Sequence, residues 1–435
     1  MVSTKKWALA SAVAAAIALP ATALATTAGY FQLGYSTISD GMAGASAALP
    51  QDSMIQATNP AGIAFVGSRL DLGVAGFWPY RGYTSGAPAG YFPAGGSYGS
   101  NGNFFLIPHI GYSQRLSHDN YVGVAIYGNG GMSTNYNSGT AAGPCNDGQT
   151  GVNLQQLFIQ ATYARKFLRH DSVGLSLIVA RQTFSADGLS NFGKAGYSTN
   201  SQDLSGNGVS TSYGVGFKVG GQFRVVPGVD VGVAYSPRMS MSKFSRYSGL
   251  FAGGGRFDIP ANGVIGLAFK PMAGQVLAFD FQRIYYNDVP AIANPGPTND
   301  DCPTGGGCSP TVFADGDQLG AAGGAGFGWQ NVSVYKLGYQ FAIDRAVTGR
   351  VGFAYNTQPI PASQVMLNVL APGVIQRHVT VGVTVRTARH QDVSVAAMYG
   401  LPQSVYGTTP KYFGGSPVKI SLHEYQLEAN WGWKF

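Results

Sequence analysis

From residue 69 onward the chain is written in a period of two. Val379, Val381, Val383 and Val385 alternate with Thr380, Gly382, Thr384 and Arg386, and Val229, Val231, Val233 and Tyr235 alternate with Asp230, Gly232 and Ala234. One apolar and one small or polar face at this spacing specifies β-strands. Fourteen such segments are expected, near 69–82, 103–117, 120–132, 151–168, 172–186, 209–225, 229–243, 256–270, 275–288, 328–343, 346–358, 376–388, 391–402 and 417–435. Their connections alternate strictly. Residues 117–119, 169–171, 226–228, 271–274, 344–345 and 389–390 are short turns, whereas 83–102, 133–150, 187–208, 244–255, 289–327, 359–375 and 403–416 are long. Short turns at one end and long loops at the other are the pattern of an outer-membrane barrel, and an even strand count returns both barrel ends to the periplasmic side.

Composition excludes the alternatives. Charged residues are 11% of the chain, mean hydropathy is +0.04, and Gly (63), Tyr (24) and Phe (24) are abundant. A soluble domain carries roughly twice that charge, and a helical membrane protein needs apolar runs of about 18 residues or more, which the mature chain lacks. In the last segment Tyr425, Leu427, Ala429, Trp431, Trp433 and Phe435 share one face, opposite Glu424, Gln426, Glu428, Asn430, Gly432 and Lys434. The aromatic end fits an interfacial girdle, and Phe435 is expected to engage the barrel assembly machinery. Val418, Ile420 and Leu422 follow the opposite phase, which predicts a bulge or the edge of the lipid band near His423.

Residues 1–25 read as a cleaved targeting segment: Lys5 and Lys6, an apolar stretch over 7–19, Pro20, then Ala23-Leu24-Ala25. Residues 26–66 are different again, nearly uncharged and rich in Gly and Ala. Asp40 is expected to cap a helix over 41–45 and Asp52 another over 53–56, and Asn59 with Pro60 marks a third start. A barrel of roughly 14 strands is too wide for its own side chains to close. Residues 26–66 are the segment left to plug it, so the expected organisation is 1–25 signal peptide, 26–66 plug and 67–435 barrel.

No catalytic cluster emerges. Three of the six histidines (His118, His170, His390) lie in the short turns, and no cluster of Ser, His and an amide or acid facing lipid on adjacent strands is seen, so the chain is not expected to be an enzyme. Neither a cofactor, a metal nor nucleic acid is expected. In an exported protein Cys302 and Cys308 could close a small disulfide loop, with Cys145 left over or pairing with one of them. Lys218, Lys336, Arg350 and Arg386 fall on the lumen phase. They are candidates to hold a ligand carboxylate; the other reading pairs them with Asp230, Asp280, Glu424 and Glu428.

The chain resembles the FadL/TodX family of outer-membrane transporters of long-chain fatty acids and aromatic hydrocarbons. The likeness rests on Gly41-Met42-Ala43-Gly44-Ala45 and Asn59-Pro60-Ala61, then Pro108-His109-Ile110-Gly111-Tyr112, Asp258-Ile259-Pro260-Ala261 and Arg350-Val351-Gly352-Phe353-Ala354-Tyr355, in this order. The resemblance implies a 14-stranded barrel with an N-terminal hatch, and a gating role for Asn59, Pro60 and Ala61. It also implies capture between loops and lateral release beside a kinked strand, which the sequence does not place. The expected activity is passive transport of hydrophobic ligands by a monomer, long-chain fatty acids first. Aromatic hydrocarbons by the same route, or a general diffusion porin, are the alternatives.

Overall fold

The computed structural model describes residues 27–87, 91–137, 148–298, 313 and 316–435. Residues 1–25, expected as the targeting segment, and all three cysteines, with the expected Cys302–Cys308 loop, lie outside these residues. The strands are β1 (Arg69–Ser85), β2 (Gly96–Gly99), β3 (Phe105–Arg115), β4 (Asn120–Ser133), β5 (Gly151–Lys166), β6 (Ser172–Asp187), β7 (Ser210–Val226), β8 (Val229–Ser236), β9 (Asn262–Phe269), β10 (Gln275–Ile284), β11 (Val332–Ala342), β12 (Val347–Asn356), β13 (Arg377–Ala388), β14 (Gln391–Thr408) and β15 (Pro417–Lys434). All neighbours are antiparallel. β15 closes onto β1 in unbroken register from Arg69↔Lys434 to Ser85↔Val418. The result is a fourteen-stranded barrel, with β2 an extra ribbon on the upper end of β1 (Ser85↔Gly96).

Every expected strand is present. β2 was not foreseen, because four residues are too short to show a period. β8 and β9 stop at Ser236 and Asn262, short of the expected 243 and 256, and only the Met239↔Ile259 bridge continues the pair.

The barrel is turned inside out relative to a soluble sandwich. Leu177, Val215, Val381 and Leu427 stand on the outer face, more than half exposed, while Gln160, Ser176 and Gln182 are buried inside. An apolar belt around a closed ladder is stable only in lipid, where closure leaves no unsatisfied strand edge. The structure is therefore a transmembrane β-barrel.

β15 runs through His423 without a break in its pairing to β1. The irregularity lies in its other neighbour, between Gly400 and Gln403 of β14. Val418, Ile420 and Leu422 share the inward face with Glu424, Gln426, Glu428 and Asn430. The change of pattern that suggested a bulge is thus a change in the lumen, apolar toward the long loops and polar toward the short turns.

Residues 27–66 sit inside the barrel as short helices joined by turns. Ser36 caps the helix Thr37–Asp40 through a box with Ser39, so Asp40 ends that helix instead of starting one. Residues 41–44 form a turn, with Ala43 at φ 53° and Gly44 at φ 80°, where a helix over 41–45 was expected. The helix Ile55–Thr58 begins after Met54 without a side-chain cap, later than Asp52 suggested. Asn59 caps as expected, its side chain accepting from the Ala61 N–H at 3.1 Å, with Pro60 opening the 3-10 turn Pro60–Gly62.

Glycine on the wall makes room for this segment. A Cβ on Gly232 of β8 would stand 1.9 Å from the Ala47 carbonyl oxygen, and one on Gly352 of β12 2.4 Å from the Met42 carbonyl carbon. Neither obstacle is a side chain that can turn aside. Gly232→Val is expected to leave a heat-resistant barrel but unseat residues 42–48. Planar-bilayer recordings then show a raised conductance, and limited proteolysis cuts the N-terminal segment. Unchanged conductance and protection refute the seating role of Gly232.

Candidate functional site

The site is a vertical path through the lumen, and its lower half is a set of pins. An irregular segment buried in a barrel cannot satisfy its own backbone, and each orphaned group costs free energy. Wall side chains meet that demand. Lys218 of β7 donates to the Ala57 carbonyl, Lys336 of β11 to the Leu33 carbonyl at 2.6 Å, and Gln222 of β7 to the Ala48 carbonyl at 2.8 Å. Asp280 of β10 accepts from the N–H groups of Ser46 and Ala47, both at 2.9 Å. Asp71 of β1 accepts from the Ser53 N–H and hydroxyl at 2.9 and 2.6 Å and is held by Arg69, which also reaches the Gln51 carbonyl at 3.1 Å.

These contacts change the reading of the cation candidates. Lys218, Lys336 and Arg350 do face the lumen and are buried. Arg350 is shared among Gln340, Thr384 and, at 3.0 Å, the side chain of Gln51. The expected ion pairs are not the ones that form. Asp230 is held near the short turns by Arg224 and Lys270, at 2.7 and 2.6 Å, and Glu424 meets His378 at 3.3 Å. Arg386 departs from its expected place. It is exposed toward the β13–β14 turn, where its guanidinium reaches the Arg345 carbonyl. The cations are engaged by the N-terminal segment, a partner that strand phase alone does not reveal.

Asn59 joins two parts of the segment to the wall. Its amide donates to the Ala47 carbonyl at 2.9 Å and to the Gly221 carbonyl of β7 at 3.0 Å. Nearby, Ser172 of β6 donates to the Ala61 carbonyl at 2.9 Å.

Above the pins the wall is interrupted. The β3–β4 ladder ends at His109↔Tyr127, and above it no rung joins the two strands among the described residues. β4 bulges between Gly128 and Gly130, and from Ala125 onward both its faces are buried, so it leans into the lumen. Pro108 of β3, lacking an N–H, stands just above the last rung, where no donor is needed.

The N-terminal segment replaces the missing neighbour. Gly131 N–H donates to the Tyr30 carbonyl at 3.1 Å, the Gln32 side chain to the Gly128 carbonyl at 3.0 Å, and the Tyr35 hydroxyl to Asn129 at 3.2 Å. Higher still the wall rejoins. Asn101 N–H donates to the Asn135 carbonyl at 2.8 Å, and the Arg81 guanidinium bridges the carbonyls of Ser133 and Gly102. The frame encloses a window. Pro108 and the run Gly128-Asn129-Gly130-Gly131 were its signals in the sequence.

Beside and above the window lies a small apolar chamber of about 40 Å³, lined by Val152, Phe184, Leu189, Phe192, Leu250, Phe251, Leu319, Phe327, Leu367 and Leu370 among others. These come from four long loops and the upper ends of β5 and β6, and no charged side chain lines it among the described residues. Below it Phe327 packs at a tilt on Trp329 (6.3 Å), and Trp329 meets Tyr30 at a tilt (6.2 Å) and Tyr286 edge to face (5.3 Å). Tyr286 fixes the N-terminus, accepting from Tyr30 N–H at 3.1 Å and donating to the Ala28 carbonyl at 2.7 Å.

No protein-family model and no curated protein sequence matches this chain. Its fold does match solved structures. The toluene transporter TodX of Pseudomonas putida superposes with a TM-score of 0.65 at 16% identity, over 93% of this chain and 99% of that one. A FadL homologue of Pseudomonas aeruginosa gives 0.67 at 13% identity, over 93% and 100%. The toluene transporter TbuX of Ralstonia pickettii gives 0.62 at 15% identity, over 93% and 99%. The chain has the FadL/TodX fold.

Removing the Asn59 side chain by Asn59→Ala leaves buried carbonyls and one N–H without partners, at about 1–3 kcal/mol each. Hydrogen exchange at residues 47–61 is expected to quicken by at least an order of magnitude, with strand amides unaffected. Unaltered exchange there contradicts the pinning role.

Proposed function

We propose that this protein is an outer-membrane transporter of uncharged hydrophobic small molecules, aromatic hydrocarbons before fatty acids. One observation carries the reading: an apolar chamber without a charged group stands over a window in the barrel wall. A fatty acid would need a cation for its carboxylate. The buried cations are already engaged, Lys218, Lys336 and Arg350 by the N-terminal segment, Arg69 by Asp71 and Arg81 by the carbonyls of Ser133 and Gly102, so binding a carboxylate there would cost those contacts. The same-fold proteins TodX and TbuX are toluene transporters, which supports the choice of ligand class.

The route runs from the long loops into the chamber. Beneath it the ligand meets Tyr30 and Phe31 and takes their place against Tyr286 and Trp329. Residues 26–66 act as the hatch, with Asn59-Pro60-Ala61 as the latch that keeps its lower part seated. Displacing Tyr30 breaks its contact with Gly131 and uncovers the window between β3 and β4, through which the ligand passes into the membrane. No energy source beyond partitioning from water into lipid is required. Residues 1–25 are removed on export, and the barrel works as a monomer.

The test compares uptake of labelled toluene, oleate and glucose by cells with and without the protein. Protein-dependent uptake of toluene alone is the expected result. Dependence of glucose uptake would indicate a diffusion porin, and dependence of oleate but not toluene would reverse the choice of ligand class.

A further inference from the structure

The chamber has three aromatic boundaries, and each belongs to a different cluster. Phe184 and Phe251 form a side wall, 4.6 Å apart, and Phe327 leads down to Trp329. The third, Phe192, belongs to neither. Its ring meets Phe92 at 5.8 Å, Phe313 at 5.8 Å and Phe413 at 6.1 Å, rings delivered by three other loops. Tyr197 completes the cluster, stacked on Phe313 at 4.7 Å. Among the described residues Phe192 is the chamber-lining ring that is also part of this outer cluster.

A short helix carries the ring at this point. Phe192 sits on Ser190–Lys194 with its side chain 2% exposed, while residues 194–196 on the same turn face solvent. The helix is flanked by Gly188 and Gly196, both at φ 78°. At Gly196 a Cβ would meet nothing within 4 Å, so glycine there serves the backbone conformation and not a close approach. A left-handed glycine on each side lets the helix be placed independently of β6 and β7. Phe192 therefore stands between the chamber and the solvent-facing turn, on an element so flanked, at a place where a molecule arriving from the loops can enter.

We propose that Phe192 is the gate ring of the chamber and sets the size of hydrocarbon admitted. This rests on the transport reading above for its biological meaning, but its physical content is an access rate. A flat one- or two-ring molecule slips past a single rotated phenyl, whereas a larger polycyclic needs the ring to break its contacts with Phe92, Phe313 and Phe413 together.

The experiment measures association of naphthalene and pyrene, both fluorescent, with the purified protein in detergent by stopped flow. Phe192→Ala is expected to raise the pyrene association rate about tenfold, the scale of losing one or two aromatic contacts. The naphthalene rate changes little. Phe192→Trp lowers the pyrene rate, and Phe184→Ala, a side-wall change, alters dissociation without changing the ratio of the two association rates. Heat resistance of each variant on gels establishes that the barrel is folded. An unchanged pyrene-to-naphthalene rate ratio in both folded Phe192 variants would falsify the gate, as would absence of binding of either probe to any of the proteins. Failure of the transport reading looks different: uptake by cells is then independent of the protein, while the Phe192 effect on association rates persists.

Discussion

A segment without regular structure, enclosed in a barrel, cannot leave its peptide groups unbonded, and it has too few neighbours of its own kind to bond them all. The wall supplies what is missing. Lys218, Lys336, Gln222 and Ser172 donate hydrogen bonds to carbonyls of residues 33–61, and Asp280 and Asp71 accept them from N–H groups. This demand explains why a chain with 11% charged residues places charge deep in its lumen. Small wall residues answer the same demand by shape, because a donor two or three ångströms from a backbone oxygen requires that the backbone come close. Gly232 and Gly352 permit that approach.

The vertical division of the lumen follows. Where the N-terminal segment must be bonded, the inward faces of the strands are polar, as in Glu424, Gln426, Glu428 and Asn430 of β15. Where it ends, near Tyr30, the inward faces turn apolar and the long loops fold into the open end with their aromatic rings. One strand therefore carries two inward chemistries in sequence, and the height at which they change marks where the plug stops and the chamber begins.

How much of this was legible depended on whether the signal was periodic or relational. Strand number, order and inward phase rest on alternation and on connection length, and both survive into the structure from β1 to β15. The place of Asn59 as a cap was readable because capping is local. The roles of Lys218, Lys336 and Arg350 were not. Phase says that a side chain points inward but not what it meets there, and their partners lie about 160 to 300 residues away along the chain. Asp40 misled because a helix can end on an acidic residue as well as begin with one, and Ser36, four residues earlier, made the better cap. The window was hidden for a related reason. Gly128 to Gly131 look like a weak stretch of an ordinary strand until the missing rungs to β3 show that the weakness is a bend.

The window and the chamber floor share one residue, and this constrains any transport mechanism. The Tyr30 side chain packs among Phe31, Phe257, Tyr286 and Trp329. Its carbonyl, one bond beyond the Cα, accepts the Gly131 N–H at the bend of β4. Glycine at position 130 is needed for this, since a Cβ there would lie 1.8 Å from that same carbonyl oxygen. A ligand that displaces the residue, and does not merely turn its ring, also moves the carbonyl, and with it the contact that covers the window. On the proposed reading no separate lever is required between capture and release. The cost of uncovering the window is the loss of a few hydrogen bonds at residues 30–35, each about 1 kcal/mol net. Burying a small hydrocarbon's apolar surface in the chamber repays that at about 25 cal/mol per Å². A polar solute of the same size gains no such burial, so on the proposed reading the coupling through Tyr30 would select for hydrophobicity at the same step at which it opens the path.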